Sequence, residues 1–402
     1  MPAFYIGRQP IYDHQLKIVA YELLYRDGDK NRAQFVDGDA ASSQVIVNTC
    51  LGIGLERLIG QGQTAFINLT RSFLLQTYPM PLPKESVVLE VLEDIVLDEE
   101  MMTALRRLAR DGYTLALDDF VFTEQTRDAF EVVNIVKLDV LALGPDDTRK
   151  QVELLRRFNV KLLAEKVETH DMLAQCQALG FDYFQGYFLS RPNLIQGRRP
   201  PAVRLTVLRT LALLQDPALD FKELEKVITQ DVSLSYKLLR YINSAATGMP
   251  RKIDSIHQAL VIAGTGCIRS WATLIALSSI NDKPHELMVI ALIRARMCEF
   301  IAAATKEEAK ENFFTVGLFS ALDALMDQPL EEILESMPLT DQANAALLRY
   351  EGTLGKALHA TLIYEQGGDP DELHKAGLPL DILSDAYLEA LNWANQAGKA
   401  LF

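Results

Sequence analysis

The sequence predicts two folds in succession, an α/β TIM-like barrel followed by an all-α helical bundle domain. Seven short apolar runs typical of buried strands recur between residues 18 and 188. Stretches with helical spacing, such as residues 98–110 and 148–158, lie between them. Beyond about residue 203 the apolar spacing is helical almost throughout. Because strands that alternate with helices pair through crossovers, the first half is expected to form a parallel sheet.

The predicted strands of the first half favour a closed barrel. They are residues 18–24, 64–69, 86–92, 113–119, 133–138, 160–165 and 183–188, with residues 4–6 as an eighth candidate. A (β/α) barrel accommodates this number of strands, leaves no sheet edge exposed and covers both faces of the sheet. The alternative is an open doubly wound sheet, but no glycine-rich phosphate loop follows the first strand.

The domain boundary is expected where residues that interrupt helices and strands are concentrated. Residues 193–203 read NLIQGRRPPAV, which includes a glycine and two adjacent prolines. A chain of 402 residues is long enough for two or three domains. The predicted domains are residues 1–197 and 202–402, and the helices predicted in the second are 221–230, 234–242, 287–304, 313–325, 341–350 and 382–397.

Composition and charge exclude some classes of partner. The hydrophobic fraction of 49% and the charged fraction of 23% are typical of a soluble globular protein. A net charge of -14 without a basic cluster predicts no nucleic-acid partner. The start, MPAFYIGRQPIYDH, lacks the apolar core of a signal peptide, and Arg269 interrupts the most apolar long stretch, residues 260–280. No membrane insertion is therefore expected.

The cysteines indicate a reducing compartment. Cys50, Cys176, Cys267 and Cys298 are far apart in the sequence and form no CxxC motif. Such cysteines are typically buried free thiols. We therefore expect free thiols and a cytoplasmic location.

Two adjacent acids end the strand predicted at residues 113–119. The run reads Leu115-Ala116-Leu117-Asp118-Asp119-Phe120. Neighbouring carboxylates repel each other in a dry core, and a divalent cation such as Mg²⁺ or Mn²⁺ removes that repulsion. The alternative is that one aspartate caps the following helix while the other is solvated. In a barrel the carboxyl ends of all the parallel strands meet at one rim, and the polar residues at the other strand ends are Glu22, Asn68, Glu90, Lys137, Glu165 and Gln185.

This set of side chains predicts phosphate chemistry at the rim. Four or five oxygen ligands could hold one or two Mg²⁺ or Mn²⁺ ions, which polarise a phosphate and lower the pKa of a bound water. Lys137 would stay protonated beside so many acids. It could then orient the water or neutralise developing negative charge.

The same residues, taken together, resemble the EAL domain over about residues 3–195. The motifs that carry the resemblance are Glu22-Leu23-Leu24, Ile67-Asn68-Leu69, Glu90-Val91-Leu92-Glu93, Asp118-Asp119-Phe120, Lys137-Leu138-Asp139, Ala164-Glu165-Lys166-Val167-Glu168-Thr169 and Gln185-Gly186-Tyr187. The resemblance implies a TIM-like barrel that hydrolyses the bacterial second messenger cyclic di-GMP to linear pGpG with Mg²⁺ or Mn²⁺.

The resemblance also implies a role for each residue of the rim. The implied metal ligands are Glu22, Asn68, Glu90, Asp118 and Asp119, the last of which reaches a second metal ion. The implied catalytic residues are Lys137, which positions the water, Glu165, a candidate base, and Asp119. The implied contacts to the nucleotide are Gln9, Arg26 and Gln185.

Three departures from the family pattern bear on activity. The signature tripeptide reads Glu22-Leu23-Leu24, which keeps the ligand. After Phe120 the family has a glycine-rich segment that supports metal binding and dimer contacts, whereas this chain has Val121-Phe122-Thr123-Glu124. β-Branched residues cannot adopt positive φ at low cost. Finally, Lys166 replaces the glycine that follows the candidate base and adds a cation beside the site.

From residue 202 to about residue 395 the chain resembles the HDOD domain. The resemblance is strongest over residues 230–245, QDVSLSYKLLRYINSA. This domain is a relative of HD-type phosphohydrolases and serves mainly as a signalling module. In catalytic relatives a His-Asp pair follows a Gly-Leu-Leu turn, but here Gly317-Leu318-Phe319 is followed by Ser320-Ala321. The resemblance therefore implies a regulatory module, without a metal pair, that binds a signalling protein partner.

Two hypotheses for the function follow. In the first, the chain is a metal-dependent cyclic di-GMP phosphodiesterase, because the whole acidic rim and Lys137 are retained. In the second, it is a catalytically inactive cyclic di-GMP receptor or scaffold, which the altered segment after Phe120 and Lys166 favour. A homodimer is also among the expected partners. An unrelated sugar-phosphate barrel enzyme is supported by the fold alone.

Overall fold

A computed structural model describes residues 4–27, 55–60, 62–76, 82–124, 126–190, 202–244, 247–249, 252–280, 283–367, 373 and 377–401. The contacts within the chain divide it into two compact units, Met1–Leu189 and Ser190–Phe402. Residue 197, the predicted end of the first domain, lies outside the described residues.

The first unit is a closed eight-stranded barrel in which the strands follow one another in sequence order. The strands are β1 Phe4–Tyr12, β2 Ile18–Asp27, β3 Thr64–Leu69, β4 Val87–Val91, β5 Thr114–Leu117, β6 Ile135–Asp139, β7 Lys161–Glu165 and β8 Tyr183–Gln185. Neighbouring strands from β2 to β8 pair in parallel. The predicted α/β barrel is therefore confirmed.

Strand β1 differs from the expectation of uniformly parallel pairing. It is longer than the candidate at residues 4–6, and it pairs antiparallel with both β2 and β8. A tight turn joins β1 to β2, in which the Asp13 carboxylate accepts hydrogen bonds from the backbone N–H groups of Gln15 and Lys17. Because so short a connection cannot cross over the sheet, the two strands can only form a hairpin.

Short helices and turns surround the barrel. They are α1 Leu55–Ile59, α2 Arg71–Leu74, α3 Glu99–Arg110, α4 Arg127–Phe130, α5 Val140–Leu155 and α6 His170–Leu179, followed by the 3₁₀ turn Tyr187–Ser190. Three of these helices begin at a side-chain cap: Asp98 caps α3, Asp139 caps α5 and Thr169 caps α6. Helix α5 begins earlier than the predicted residues 148–158 and is kinked at Gly144.

The second unit is helical in every element that the described residues form. Its helices are α7 Ala202–Gln215, α8 Phe221–Gln230, α9 Val232–Ile242, α10 Ile256–Ala263, α11 Thr265–Leu277, α12 His285–Ala304, α13 Lys310–Phe319, α14 Leu322–Met326, α15 Leu330–Glu335, α16 Asp341–Arg349, α17 Gly352–Glu365 and α18 Leu380–Leu401. The predicted all-α domain is confirmed, although the helix predicted at 313–325 is divided at Ser320 and Ala321. Within the described part of the chain, no helix has the length and apolar character needed to cross a bilayer.

Helix α12 forms the centre of this unit and packs against α13, α17 and α18. Most of its side chains are buried, including Arg294. Arg294 forms a two-pronged ion pair with Glu365 of α17, with N–O distances of 2.6 and 2.8 Å. A buried arginine therefore has its charge matched inside the helical core.

Candidate functional site

The site lies one residue layer above the apolar floor of the barrel. Seven strands each contribute one buried side chain to that floor, namely Ile11, Ala20, Phe66, Val88, Ala116, Ile135 and Leu163. Side chains two positions apart on a strand share a face. Two residues further along β2 to β7 come Glu22, Asn68, Glu90, Asp118, Lys137 and Glu165. In β1, which runs the opposite way, Gln9 lies two residues before Ile11.

Lys137 lies at the centre of the acidic rim residues. Its Nζ is 2.7 Å from Glu90 Oε1, 2.7 Å from Asp118 Oδ1, 3.0 Å from Glu165 Oε1 and 3.4 Å from Glu22 Oε2. Lys137 is completely buried. Burial opposes its charge, but the surrounding carboxylates outweigh burial and raise the pKa of Lys137 well above its ordinary value. The ammonium therefore stays charged at the centre of the rim.

The carboxylates of the rim have too few positively charged neighbours to balance them. Burial raises the pKa of Glu90 and of Glu165 well above the ordinary value, although Lys137 acts in the opposite direction. Burial and the neighbouring Asp118 also raise the pKa of Asp119. One ammonium thus faces more carboxylates than it can neutralise.

Amide side chains link the rim to β1 and β8. The Nδ2 group of Asn68 donates to Glu22 Oε1 at 3.0 Å. The Nε2 group of Gln185 donates to Glu22 Oε2 at 2.6 Å and to Gln9 Oε1 at 2.8 Å. Gln9 and Gln185 therefore lie beside Glu22, whereas the side chain of Arg26 is outside the described residues.

The donor atoms of the rim fit a divalent cation. Buried oxygens Asn68 Oδ1, Glu90 Oε2 and Asp119 Oδ1 receive no hydrogen bond within the described part of the chain. Buried acceptors without a partner are costly, and oxygen donors are the ligands that Mg²⁺ prefers. Oxygens of Asp118, Asp119 and Glu165 also lie within 4.8 Å of one another. The rim therefore already presents the oxygen donors that such an ion needs.

A second cation, Lys166, lies beside Asp119. Its Nζ contacts Asp139 Oδ2 and is 4.0 Å from Asp119 Oδ2. Asp139 was not among the predicted site residues. The signal was its position two residues after Lys137 on the same strand, which places both side chains on one face. The other carboxylate oxygen of Asp139 caps α5 by accepting from the N–H of Ala142 at 2.8 Å.

The segment after Phe120 is held without glycine. Among its described residues, Val121 to Glu124 and Thr126, none has a positive φ. The backbone N–H of Phe122 donates to Gln151 Oε1 at 2.7 Å. The rings of Phe122, Phe130 and Phe158 pack together, with centroids 5.6 to 5.7 Å apart. The expected conflict between β-branched residues and positive φ therefore does not arise here.

The helical unit holds an ion pair beside the position where a His-Asp pair would lie. The Nη1 atom of Arg294 lies 3.4 Å from the backbone oxygen of Ser320, the first residue of the Ser320-Ala321 position. His257 is hydrogen-bonded to Glu225, and His359 is stacked on Tyr350. Acidic, histidine and cysteine side chains grouped closely enough for a metal occur, among the described residues, in the barrel.

Three of the cysteines are described, and all three are free thiols. Cys176 and Cys298 are buried as predicted, whereas Cys267 is only partly buried. Burial raises the pKa of Cys176 to about 11 and those of Cys267 and Cys298 to about 12. Cys50 lies outside the described residues.

Fold and rim together define a class of protein, a (β/α) barrel with a carboxylate-rich site at its carboxyl-end rim, joined to an all-α domain. Family models agree with both parts. The EAL domain matches residues 62–192, and the HDOD domain matches residues 201–362.

Two relatives match almost the whole chain. The cyclic di-GMP phosphodiesterase CdgJ of Vibrio cholerae is 34% identical, over 99% of this chain and 94% of that protein. YuxH of Bacillus subtilis is 32% identical, over 97% of this chain and 98% of that protein. The chain therefore belongs to the same family as CdgJ, and it joins an EAL domain to an HDOD domain.

Solved structures give a weaker comparison. The Klebsiella pneumoniae BlrP1 calcium and cyclic di-GMP complex is 20% identical, over 48% of this chain and 57% of that chain, with a TM-score of 0.39. A score this low adds nothing to the fold, which rests on the closed strand order of the barrel.

Proposed function

We propose that the chain is a cyclic di-GMP phosphodiesterase that uses Mg²⁺ or Mn²⁺ at the barrel rim. The observation that carries the proposal is the burial of Lys137 among Glu22, Glu90, Asp118 and Glu165. A site that only bound a nucleotide would have no use for so many unneutralised carboxylates. The likeness to CdgJ, which has this activity by name, supports the choice of substrate.

The residues proposed to hold metal are Glu22, Asn68, Glu90 and Asp118, with Asp119 as the candidate ligand of a second ion. Their support is the set of oxygen donors, several of them without a hydrogen bond. When bound, the ion would supply Lewis acidity to the phosphate and to a water.

Lys137 and Glu165 are proposed to handle the water that attacks the phosphorus. Glu165 in its ionised form would accept a proton from that water, and the raised pKa of Glu165 makes it a stronger base than an ordinary glutamate. The water oxygen would form a new bond to phosphorus while one phosphodiester P–O bond breaks. The leaving ribose oxygen would take up a proton to become a hydroxyl, so that the product is linear pGpG. Lys137, which remains charged, would hold the water and offset negative charge as it develops.

Gln9, Gln185 and Arg26 are proposed to contact the nucleotide. Gln9 and Gln185 are hydrogen-bonded to each other beside Glu22, where their amides can reach a guanine or ribose. Arg26 follows Glu22 by four residues on β2 and is suited by its charge to a phosphate or a guanine edge.

A second candidate function is a cyclic di-GMP receptor that does not turn over its ligand. The observation that favours it is the cation Lys166, which lies between Asp119 and Asp139. In either case the helical domain is proposed as a regulatory module that binds a signalling protein. We also propose that the protein forms a homodimer. The proposed domain limits are residues 1–197 and 202–402.

One experiment separates the two functions. Purified full chain is incubated with cyclic di-GMP and Mn²⁺, pGpG is quantified by chromatography, and binding is measured separately in Ca²⁺. We expect pGpG from the wild type and none from Lys137→Met or Glu165→Gln. The exposed Glu93, three residues after Glu90, gives a matched control as Glu93→Gln. Binding without pGpG would establish the receptor, and the absence of binding would exclude both functions.

A further inference from the structure

Lys166 is held at the rim by residues from two other strand ends. It follows Glu165 at the end of β7, and its ammonium contacts the carboxylate of Asp139 at the end of β6. Asp139 is itself fixed, because its other oxygen caps helix α5. The same ammonium lies 4.0 Å from Asp119 Oδ2. A lysine at this position therefore has a defined place for its charge.

Stability does not account for a lysine here. Its φ is +54°, a left-handed conformation that glycine adopts freely and other residues adopt at a cost. The lysine side chain is 57% exposed, and ion pairs exposed to this degree contribute little to the stability of a fold. We therefore infer that the lysine matters for the positive charge that it brings to the rim.

That charge lies beside the acids that could bind a second ion. Oxygens of Asp118, Asp119 and Glu165 are within 4.8 Å of one another, and Asp119 Oδ1 is buried without a hydrogen bond from any described residue. An ammonium at Asp119 Oδ2 repels a divalent ion that would use the same carboxylate. Three other oxygen donors of the rim, Glu22, Asn68 and Glu90, lie on other strands. Among the interactions of the described residues, none of them contacts Lys166.

We propose that Lys166 is a built-in cation that takes the place of a second divalent ion, so that the barrel binds one Mg²⁺ or Mn²⁺ ion. That ion is held by Glu22, Asn68, Glu90 and Asp118, while the lysine lies beside Asp119 and Asp139 and offsets part of their negative charge. The inference rests on the proposed metal-dependent function of the rim. Lys166 is a positioning residue in this scheme, because it sets the number of ions rather than touching the reacting atoms.

The test counts Mn²⁺ ions per full-length chain. Metal-free protein is titrated with Mn²⁺ by calorimetry, and free Mn²⁺ is followed in parallel by electron paramagnetic resonance. We expect one ion for the wild type, one for Lys166→Arg and two for Lys166→Gly. Glycine suits the backbone at φ +54°, so this variant is expected to fold, which circular dichroism checks. Adding Asp119→Asn to Lys166→Gly should return the count to one.

The outcomes separate this inference from the proposed function. Two ions in the wild type, or one in Lys166→Gly, would overturn the inference while leaving metal binding at the rim intact. Two ions in Lys166→Arg would also overturn it, because that variant keeps the positive charge. A wild type that binds no Mn²⁺ would contradict the proposed function and the inference together.

Discussion

Glu90 and Lys137 illustrate at the scale of single residues how the rim is held together. Both side chains are completely buried, and their charged atoms lie 2.7 Å apart. Each therefore depends on the other, because a buried charge without a partner is destabilising by about 3–5 kcal/mol. Glu90 Oε2 still lacks a hydrogen bond from the described residues. That second oxygen of Glu90 is thus available as a donor to a further cation.

Glu90→Gln is expected to weaken Mn²⁺ binding at least about tenfold, since it removes a charged ligand from the set. Calorimetry on metal-free full chain measures the effect. Glu93→Gln is the matched control, because Glu93 is exposed just beyond the same strand and should leave the affinity unchanged. Equal affinities for the wild type and Glu90→Gln would remove Glu90 from the proposed ligands.

Without metal, stability is expected to fall as the pH rises above about 4.5. The folded-state pKa values of Glu90 and Glu165 are raised, so the folded chain binds more protons than the unfolded chain above the ordinary glutamate pKa. The stabilising protonation is complete below that pKa and is lost as the pH rises through the raised values. Urea unfolding in chelator between about pH 5 and pH 8 measures this slope. Glu90→Gln should show a shallower slope, and a steeper one would contradict the assignment.

At the scale of elements, the ends of the strands form the site because the side-chain period of a strand is two. The apolar floor and the polar rim are successive inward-facing positions of the same strands. At the end of β8 the backbone passes very close to a neighbouring segment, since Val167 N–H donates to Gln185 O at 3.0 Å. Gly186 makes that approach possible. A Cβ there would lie 2.1 Å from the carbonyl oxygen of Val167.

Gly186→Ala is therefore expected to destabilise the barrel by about 1–3 kcal/mol or more, because the backbone of Val167 must move. It should also displace Gln185 and weaken cyclic di-GMP binding. Gly62→Ala is the control, since Gly62 also has a positive φ but has open space around its Cβ position. Chemical unfolding compares the two variants. A loss no larger than that of Gly62→Ala would mean that the close approach at Val167 is not rigid.

At the scale of the whole molecule, the chain joins an eight-stranded barrel to a helical unit in which the Arg294–Glu365 ion pair lies beside Ser320. In the proposed function the helical unit adds recognition rather than a second reaction centre. The tether predicted from the sequence, residues 196–201, is short and contains Pro200 and Pro201. It lies outside the described residues.

Cyclic di-GMP is expected to change hydrogen exchange in residues 202–395 as well as at the barrel rim. A short, stiff tether favours coupling between the domains, and such coupling requires the ligand to favour one state by typically about 1–3 kcal/mol. Exchange measured by mass spectrometry on the full chain, with and without the nucleotide in Ca²⁺, tests this. Changes confined to the barrel would indicate two independent modules.

The sequence alone determined the two folds, the members of the rim other than Asp139, and the helical character of the second half. These features depend on local periodicity, which is visible in one stretch of chain at a time. Every barrel strand except β1 was predicted at its place, because each is a short apolar run that ends in a polar residue. Helix α11 was not predicted, because its buried side chains produce an apolar run without a clear helical face. The antiparallel direction of β1 was missed because the turn at Asp13 was not recognised.

Only the tertiary structure decided which of these residues meet and in what arrangement. Lys137 lies among carboxylates from four other strands, and the Lys166 ammonium reaches Asp139, 27 residues away in sequence. Arg294 pairs with Glu365 across 71 residues. The three phenylalanine rings explain how the segment after Phe120 is held without glycine. Contacts of this kind depend on how distant segments pack, and the free energy of a buried charge depends on all its neighbours at once, which no local pattern records.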